Sequence, residues 1–296
     1  MANLKEIRSR ITSVSSTRQI TSAMKMVSAA KLKRAQDAIT QMKPYAEKLK
    51  ELLQDLSTSS DNDDTNSPYS VEREVKNVLV VAITSNRGLA GAFNANIIKG
   101  TNNLINTKLE GKNVTVMAIG KKADDFYKKT EYNIKGTTLP NNLNELYDDL
   151  SFENVSRVSE AIMSSFTYKQ FDQVLLVYNE FVNAAVQNVN VEQFLPIVAT
   201  TEDPSAKTKN TDYIFEPNKE MIVTELIPKS LKIQFYKAML DSFASEHGAR
   251  MTAMHKATDN AGTLIHDLKL VYNKARQAAI TNEILEIVGG AAALDN

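Results

Sequence analysis

The chain has 296 residues, and its 35 Lys and Arg are balanced by 35 Asp and Glu, so the formal net charge at pH 7 is zero. This balance excludes a global electrostatic argument for binding nucleic acid or an acidic membrane surface. Cysteine is absent, which excludes disulfides, thiolate metal ligands and a cysteine nucleophile, and no apolar stretch approaches the ~20 residues that cross a bilayer.

The first part of the chain is almost free of residues that break helices. No Gly occurs before Gly88, and Pro44 is the only Pro before Pro68. These absences predict a helix far longer than the globular average of about 11–12 residues. Pro44 should kink this helix, because it removes one backbone hydrogen bond and crowds the preceding turn.

A seven-residue repeat of apolar residues follows one side of this N-terminal helix, which is typical of a coiled-coil seam. Its members are Leu4, Ile7, Ile11, Val14, Leu32, Ala35, Ile39, Met42, Ala46, Leu49, Leu53 and Leu56. Between the two runs the same frame falls on Arg18, Thr21, Lys25 and Ser28. These polar residues predict a stretch outside the core, where the apolar side moves by one position to Ile20, Met24 and Val27. We expect this stretch to contact something other than its partner helix.

Local charge is uneven along the N-terminal part of the chain. The first fifty residues contain eleven Lys or Arg and three acids, whereas residues 51–74 are mostly acidic. One interpretation is a solvated basic helix followed by an acidic loop. The other is a basic helix that faces an acidic protein partner.

The middle of the chain alternates between strand-like and helix-like segments. Continuous apolar runs predict buried strands, which are 78–83, 114–119 and 173–178. One helix is predicted to end near Lys108, and two further helices are predicted at 121–129 and 152–166. Alternating apolar residues predict a half-buried edge strand through Val186, Val189, Val191 and Phe194. Strands that alternate with helices indicate an α/β layer with parallel pairing.

This layer invites a test for a nucleotide site, and the sequence fails it. Gly120-Lys121 follows a predicted strand, but Thr115 and Lys122 stand where a phosphate loop needs Gly and Ser or Thr. The turn after the first strand lacks the dinucleotide fingerprint. We therefore expect its glycines, Gly88 and Gly91, to allow a tight turn rather than to cradle phosphate.

The histidines give no sign of catalytic or metal chemistry. They are His247, His255 and His266, all within the C-terminal part. Their spacing does not fit the i, i+4 pair of a helical metal site, and no nucleophile-elbow motif is present. We expect all three to be surface residues.

A second long helix is predicted at the C-terminus, because no Pro follows Pro228. Its apolar repeat is Met254, Ala257, Ala261, Leu264, Leu268, Val271, Ala275 and Ala278. Small Ala residues allow close approach, so we expect residues 1–57 and about 218–288 to pair in one antiparallel coiled coil. An ordinary coiled-coil spacer is the alternative interpretation of this periodicity.

Several motifs together closely resemble one protein family, the gamma subunits of rotary F-type ATP synthases. Residues 7–14 and 17–32 resemble the N-terminal helix of that family, and residues 280–293 resemble its C-terminal signature. Residues 84–91 and 245–254 also match family motifs, so the resemblance covers the chain from end to end. Asn86 stands where the family often has Asp, and Ala90 where many members have Cys.

The resemblance implies a non-catalytic central rotor shaft that couples proton-driven or sodium-driven rotation to ATP synthesis or hydrolysis. Its implied partners are three alpha and three beta subunits, the epsilon subunit and the membrane c-ring, on the cytoplasmic face of a bacterial membrane. The expected fold is α/β with long terminal helices: an antiparallel two-helix coiled coil formed by the N- and C-terminal segments, plus a central Rossmann-like α/β domain. The expected division is shaft, foot and shaft over 1–70, 71–217 and 218–296. No cofactor or metal is expected.

The resemblance also assigns contact residues. Those expected to meet beta subunits are Arg18, Met24, Lys25, Arg276 and Gln277. Those expected to face the c-ring and epsilon subunit are Phe215 and Glu216. The residues of the C-terminal signature are Ile280, Thr281, Glu283, Glu286, Gly290 and Ala291.

Two other functions are compatible with the residues alone. A coiled-coil holdase or nucleic-acid-binding hook would use the basic first helix, and its binding to DNA or RNA would depend strongly on salt. A small α/β nucleotide enzyme would bind ATP as an isolated chain.

Overall fold

The computed structural model describes most of the chain, namely residues 4–58, 68–71, 73–134, 136–197 and 219–294. The chain divides into two compact units. Unit 1 joins Met1–Ala29 to Arg250–Asn296, and unit 2 is Ala30–Ala249. Phe215 and Glu216, which the resemblance places against the c-ring, lie outside the described residues.

The described elements follow the order expected for an α/β domain between two long helices, so the predicted fold class is confirmed. The helices are α1 (Leu4–Thr58), α2 (Phe93–Lys108), α3 (Lys121–Tyr127), α4 (Phe152–Thr167) and α5 (Lys219–Leu294), with a short 3-10 helix at Asn144–Tyr147. The strands are β1 (Asn77–Ile83), β2 (Asn113–Ile119), β3 (Gln173–Phe181) and β4 (Gln187–Leu195). Helix α1 continues through Pro44.

Unit 2 is built on a four-stranded sheet with the order β2-β1-β3-β4. Strands β2, β1 and β3 are parallel, as predicted, and Val80 of β1 pairs with Val116 on one side and Leu175 on the other. Strand β4 pairs antiparallel with β3. The reason is the short connection between these two strands, since a parallel pair needs a crossover of about a dozen residues or more.

Helices cover both faces of the sheet, which explains why β1 is an unbroken apolar run. Helices α2 and α3 pack on the face that includes Val80. Helix α4 and part of α5 pack on the face that includes Val81. Every residue of β1 after Asn77 is buried.

The edge strand β4 is present, but the residues that it buries differ from those that the apolar alternation predicted. Val186, Val189 and Val191 are exposed, whereas Phe194 is buried. The face of β4 that includes Phe194 carries Glu192. The carboxylate of Glu192 accepts a hydrogen bond from Tyr178 Oη at 2.7 Å. A polar side chain can face inward here because its oxygens are hydrogen-bonded.

Part of α5 is surrounded by unit 2. Every residue from 238 to 248 is buried except Phe243, which is half-buried. The prediction that His247 is a surface residue is therefore wrong, and its ring lies edge-on to Phe243 at a centroid distance of 4.5 Å. The predicted exposure of His255 and His266 is confirmed.

Unit 1 consists of the start of α1 packed antiparallel against the second part of α5. Arg8 Nη2 donates to Tyr272 Oη at 2.8 Å, and Thr258 Oγ1 donates to Thr21 Oγ1 at 2.8 Å. The later residue of α1 thus contacts the earlier residue of α5. This order defines an antiparallel pair, as predicted.

Two of the four residues in the polar gap of the α1 seam, Thr21 and Ser28, are buried, whereas Arg18 is exposed, so the prediction that the whole stretch leaves the core is wrong. Thr21 is 8% exposed and Ser28 is 2% exposed, whereas Ile20 and Val27 are 60% and 59% exposed. Small side chains let the backbones approach closely, and Thr21 Oγ1 satisfies its donor on the carbonyl of Arg18 at 3.0 Å. Burial of a hydroxyl costs little when it is hydrogen-bonded.

The seam of α5 is also shifted relative to its prediction. Met254 and Ala261 are buried as expected, but Leu264 and Val271 are exposed. Their neighbours Ile265 and Tyr272 are half-buried in their place. The paired part ends near Ala275, because residues 276–290 are exposed, so the predicted extension of the coil to about 288 is wrong.

The antiparallel pairing makes a cross-link prediction for Thr21 and Thr258. Cysteines at both positions should form a disulfide within one chain under mild oxidation, since the two hydroxyl oxygens are 2.8 Å apart and the chain has no other cysteine. Non-reducing electrophoresis should show a compact monomer band. The control pairs Ile20→Cys with Thr258→Cys and should cross-link poorly, because Ile20 faces outward. Cross-linking only between chains would contradict the fold.

The buried Asp241 makes a prediction about pH. Burial raises the pKa of Asp241 to about 6, helped by Glu180 and Glu192 and opposed by Lys237. A raised pKa means that the stability from the protonated form is fully present below pH ~4 and is lost as pH rises through about 6. Asp241→Asn should therefore raise the Tm at pH 8, by an amount corresponding to at most about 3 kcal/mol, and change it little at pH 4.

The control for this experiment is Asp267→Asn, an exposed position on the same helix. It should give the same Tm difference from the unmodified chain at both pH values. An Asp241→Asn effect that does not change between pH 4 and pH 8 would show that its carboxyl is charged throughout.

Candidate functional site

The carboxyl edge of the parallel strands is where open α/β sheets hold their ligands, and here the fold itself fills that crevice. Thr84 Oγ1 accepts a hydrogen bond from the backbone N–H of Ala123 at 2.9 Å, and Asn86 Oδ1 accepts one from the N–H of Lys121 at 3.0 Å. Gly120, with φ of 96°, brings the backbone so near that a Cβ would lie 2.2 Å from the oxygen of Thr84. The donors at the start of α3 are thus bonded to the turn after β1.

Side chains from other elements close the same crevice. Asn94 Oδ1 accepts a hydrogen bond from the N–H of Ser85 at 2.9 Å. Tyr147 Oη donates to the Thr84 carbonyl at 2.6 Å, and Asn86 Nδ2 donates to the Asn144 carbonyl at 2.6 Å. This arrangement holds β1, α2 and the 3-10 helix together rather than leaving donors for a phosphate. Within the part of the chain that the structure describes, no cluster of His, Asp and Glu could hold a metal ion.

The candidate contact residues on α1 lie on the outer part of unit 1. Arg18 is exposed, and Met24 and Lys25 are half-buried. The large apolar side chains of Ile20 and Val27 are exposed close by along the helix. At about 100° per residue, Ile20 and Val27 lie within about 20° of each other, on the side of the helix opposite Arg18, so the cationic and the apolar groups of this stretch flank the seam on two sides.

The second group of candidate residues lies on α5 after its partner helix has ended. Arg276 and Gln277 are exposed immediately after the half-buried Ala275. Thr281 Oγ1 donates to the carbonyl of Gln277 at 2.9 Å, which satisfies that hydroxyl within the helix. Four further signature residues are exposed, namely Ile280, Glu283, Glu286 and Gly290. Ala291 belongs to the helix.

The structure keeps these two groups apart. Arg18 lies beside Gly262, since a Cβ built on that glycine would be 3.9 Å from Arg18 Nε. Gly262 precedes Arg276 by fourteen residues, which is about 21 Å along a helix. The two groups of candidate residues therefore do not form one site.

Most of the apolar surface of α5 was not predicted from the sequence. Exposed large side chains follow one another along it: Leu264, Leu270, Val271, Ile280, Ile284, Leu285, Ile287 and Val288. The last five lie after Ala275, in the stretch 276–290 where every residue is exposed. An apolar surface of this extent marks a place where other molecules bind. No described helix is long and apolar enough to cross a membrane.

Comparisons with known proteins agree along the whole chain. A family model described as ATP synthase matches residues 3–294. The ATP synthase gamma chain of Christiangramia forsetii is 63% identical over all of both chains, and that of Flavobacterium johnsoniae is 61% identical over all of both chains.

A solved structure shares the fold. A chain in the cryo-EM structure of the Euglena gracilis mitochondrial ATP synthase (OSCP/F1/c-ring) aligns with a TM-score of 0.64 at 21% identity, over 98% of this chain and 94% of that one. With a family model that spans nearly every residue and relatives above 60% identity, the chain belongs to the gamma-chain family of ATP synthase.

Proposed function

We propose that this chain is the central rotor shaft of a bacterial F-type ATP synthase. It couples rotation of a membrane ring, driven by protons or sodium ions, to nucleotide affinity in the catalytic subunits. The observation that carries this proposal is the C-terminal part of α5, where residues 276–290 are exposed and display five large apolar side chains. At about 100° per residue these five side chains lie within about 160° of the helix circumference, which makes an apolar side that leaves water only when another molecule packs against it.

The partners proposed for this shaft are the alpha and beta subunits of the head, the epsilon subunit and the membrane c-ring. Relatives that are ATP synthase gamma chains support this proposal. So does a chain in the central stalk and c-ring structure of the Tetrahymena thermophila mitochondrial ATP synthase, which aligns with a TM-score of 0.54 at 22% identity over 80% of this chain and 99% of that one. In this proposal 1–70 and 218–296 serve as the shaft and 71–217 as the foot. The complex would sit on the cytoplasmic face of the membrane, where the chain is held through its partners.

Rotation can affect a catalytic subunit only through contacts that differ between its conformational states. The exposed surface of α1 is suited to this, because Ile20 and Val27 lie on one side of the pair only. Within a ring of three equivalent pairs, such a one-sided surface meets one catalytic subunit at a time. The coupling is reciprocal, so ATP hydrolysis should also drive rotation.

The chain itself performs no covalent chemistry in this proposal. The turn where a nucleotide would bind uses its polar groups to hold β1, α2 and α3 together, as Thr84 and Asn86 do. The full-length family match favours the rotor over a holdase, a nucleic-acid hook or a small nucleotide enzyme. Neither a nucleic-acid hook nor a small nucleotide enzyme would require an exposed apolar helix end.

The stoichiometry of the assembled complex tests the proposal. Affinity purification through a tag on this chain, followed by native mass spectrometry, should give one copy for every three alpha and three beta subunits. The complex should hydrolyse ATP, whereas the purified chain should not. A homodimer of this chain, or equal copies of all three subunits, would contradict the rotor function.

Arg276 and Gln277 make a prediction about coupling. Both project from α5 after its pairing ends, and the Arg fork and the Gln amide can hold a carboxylate-bearing loop in one orientation. A charged hydrogen bond contributes ~1.5–3 kcal/mol, so replacing both with Ala should lower ATPase turnover and ATP-driven ion pumping by about tenfold to a hundredfold.

The matched control replaces the exposed neighbours Asn273 and Lys274 with Ala. Both variants should assemble normally and melt near the temperature of the unmodified complex. Normal turnover and pumping in an assembled Arg276→Ala, Gln277→Ala complex would mean that these are ordinary surface residues.

A further inference from the structure

The part of α5 inside unit 2 is held by polar contacts on two of its sides. Its core contacts are apolar, with Leu231, Phe235 and Met239 packed on the sheet. Apolar packing fixes where a helix lies but has little directional preference. Hydrogen bonds depend strongly on angle and distance, so they decide how firmly the helix resists turning about its own axis.

On the first side, α5 is bonded to α4 and to the loop before it. Lys232 Nζ lies 2.5 Å from Glu160 Oε1, in an ion pair whose lysine is largely shielded from solvent. One turn later, Tyr236 Oη donates to the carbonyl of Leu150 at 3.4 Å, and its ring lies edge-on to Phe152 at 5.5 Å. These contacts form flank A, defined by Lys232 and Tyr236.

On the other side, α5 is bonded to the strands at the sheet edge. Gln234 Nε2 donates to Glu192 Oε1 at 2.7 Å, and the second oxygen of that carboxylate is held by Tyr178. Further along, Ser245 Oγ donates to the carbonyl of Asn179 at 3.0 Å. These contacts form flank B, defined by Gln234 and Ser245.

The two flanks are on opposite sides of the helix. Each residue advances about 100° around an α-helix, so Lys232 and Tyr236 lie within about 40° of each other, and Gln234 and Ser245 within about 20°. The centres of the two pairs are about 170–190° apart. A force on each of two opposite sides forms a couple, which is the arrangement that opposes rotation about an axis.

Gly248 adds a close backbone contact beside flank B. A Cβ built there would lie 3.2 Å from the Cα of Ala184, in the connection between β3 and β4. That connection therefore packs directly on the helix backbone. A rotation of about 20° moves an atom ~5 Å from the axis by roughly 2 Å, which breaks a hydrogen bond.

We propose that flanks A and B form a torsional lock, through which torque passes between unit 2 and the continuing helix α5. Lys232 and Gln234 are the positioning residues of this lock, and they touch neither nucleotide nor catalytic subunits. This inference rests on the proposed rotor function. It predicts that removing the polar side chains of Lys232 and Gln234 lowers the torsional stiffness of the rotor without slowing ATP hydrolysis in the head.

The torsional lock is tested by measuring the torsional stiffness of the assembled complex. The head is fixed to a surface and halted with a nucleotide analogue, and a rod is attached through Lys129→Cys, an exposed position on unit 2. The variance of the rod angle reports stiffness. Lys232→Ala with Gln234→Ala should at least double this variance, whereas Gln234→Ala alone, which removes one anchor of flank B, should increase it by less.

Two controls separate the lock from general stability. Lys229→Ala removes an exposed ion pair with Glu225 on the same helix and should change nothing. Leu231→Ala removes buried packing and should lower the Tm but keep the variance of the unmodified complex. Unchanged variance in the double variant, or equal widening in Leu231→Ala, would overturn the lock. Absence of ATP-driven rotation in the unmodified complex would instead overturn the rotor function.

Discussion

A long helix has one narrow stripe that it can bury against one partner, and this constraint organises the chain. In unit 1 the stripe of α1 is closed by small side chains at Thr21 and Ser28, which let α5 come close. The remaining circumference of both helices stays at the surface. Apolar residues such as Ile20 and Val27 are therefore exposed because the seam has no room for them.

The same constraint explains the end of α5. The two helices are antiparallel and differ in length, with 55 residues in α1 and 76 in α5. The described part of α1 begins at Leu4, and residues 276–290 of α5 are exposed. In unit 2 the opposite holds, because α4 contacts α5 at Lys232, and β3 and the β3–β4 connection contact it at Ser245 and Gly248. One helix thus passes from an enclosed segment to an unaccompanied one.

The strands of the sheet could be predicted from sequence almost residue by residue. Which residues form the buried seams of the two long helices could not. Continuous β-branched runs such as β1 have one interpretation, since both faces must be buried. The seam of α5 contains adjacent apolar pairs, Leu264-Ile265 and Val271-Tyr272, and hydropathy does not choose between neighbours. Thr21 was misplaced because hydropathy ignores its hydrogen bond to the carbonyl of Arg18. The apolar end was missed because its exposure follows from where the pairing with α1 ends, not from local pattern.

The two parts of α5 differ in the kind of contact they offer, and the difference fits the proposed rotor. Where the helix must turn together with unit 2, its anchors are directional bonds such as Gln234 with Glu192 and Lys232 with Glu160. Where it must turn against its surroundings, it presents Ile284, Leu285 and Val288. Apolar contact has little directional preference, so sliding past a partner breaks few specific bonds. Arg276 and Gln277 stand at the start of this apolar part, where a few breakable bonds can mark an angle while the rest of the surface lets the helix rotate.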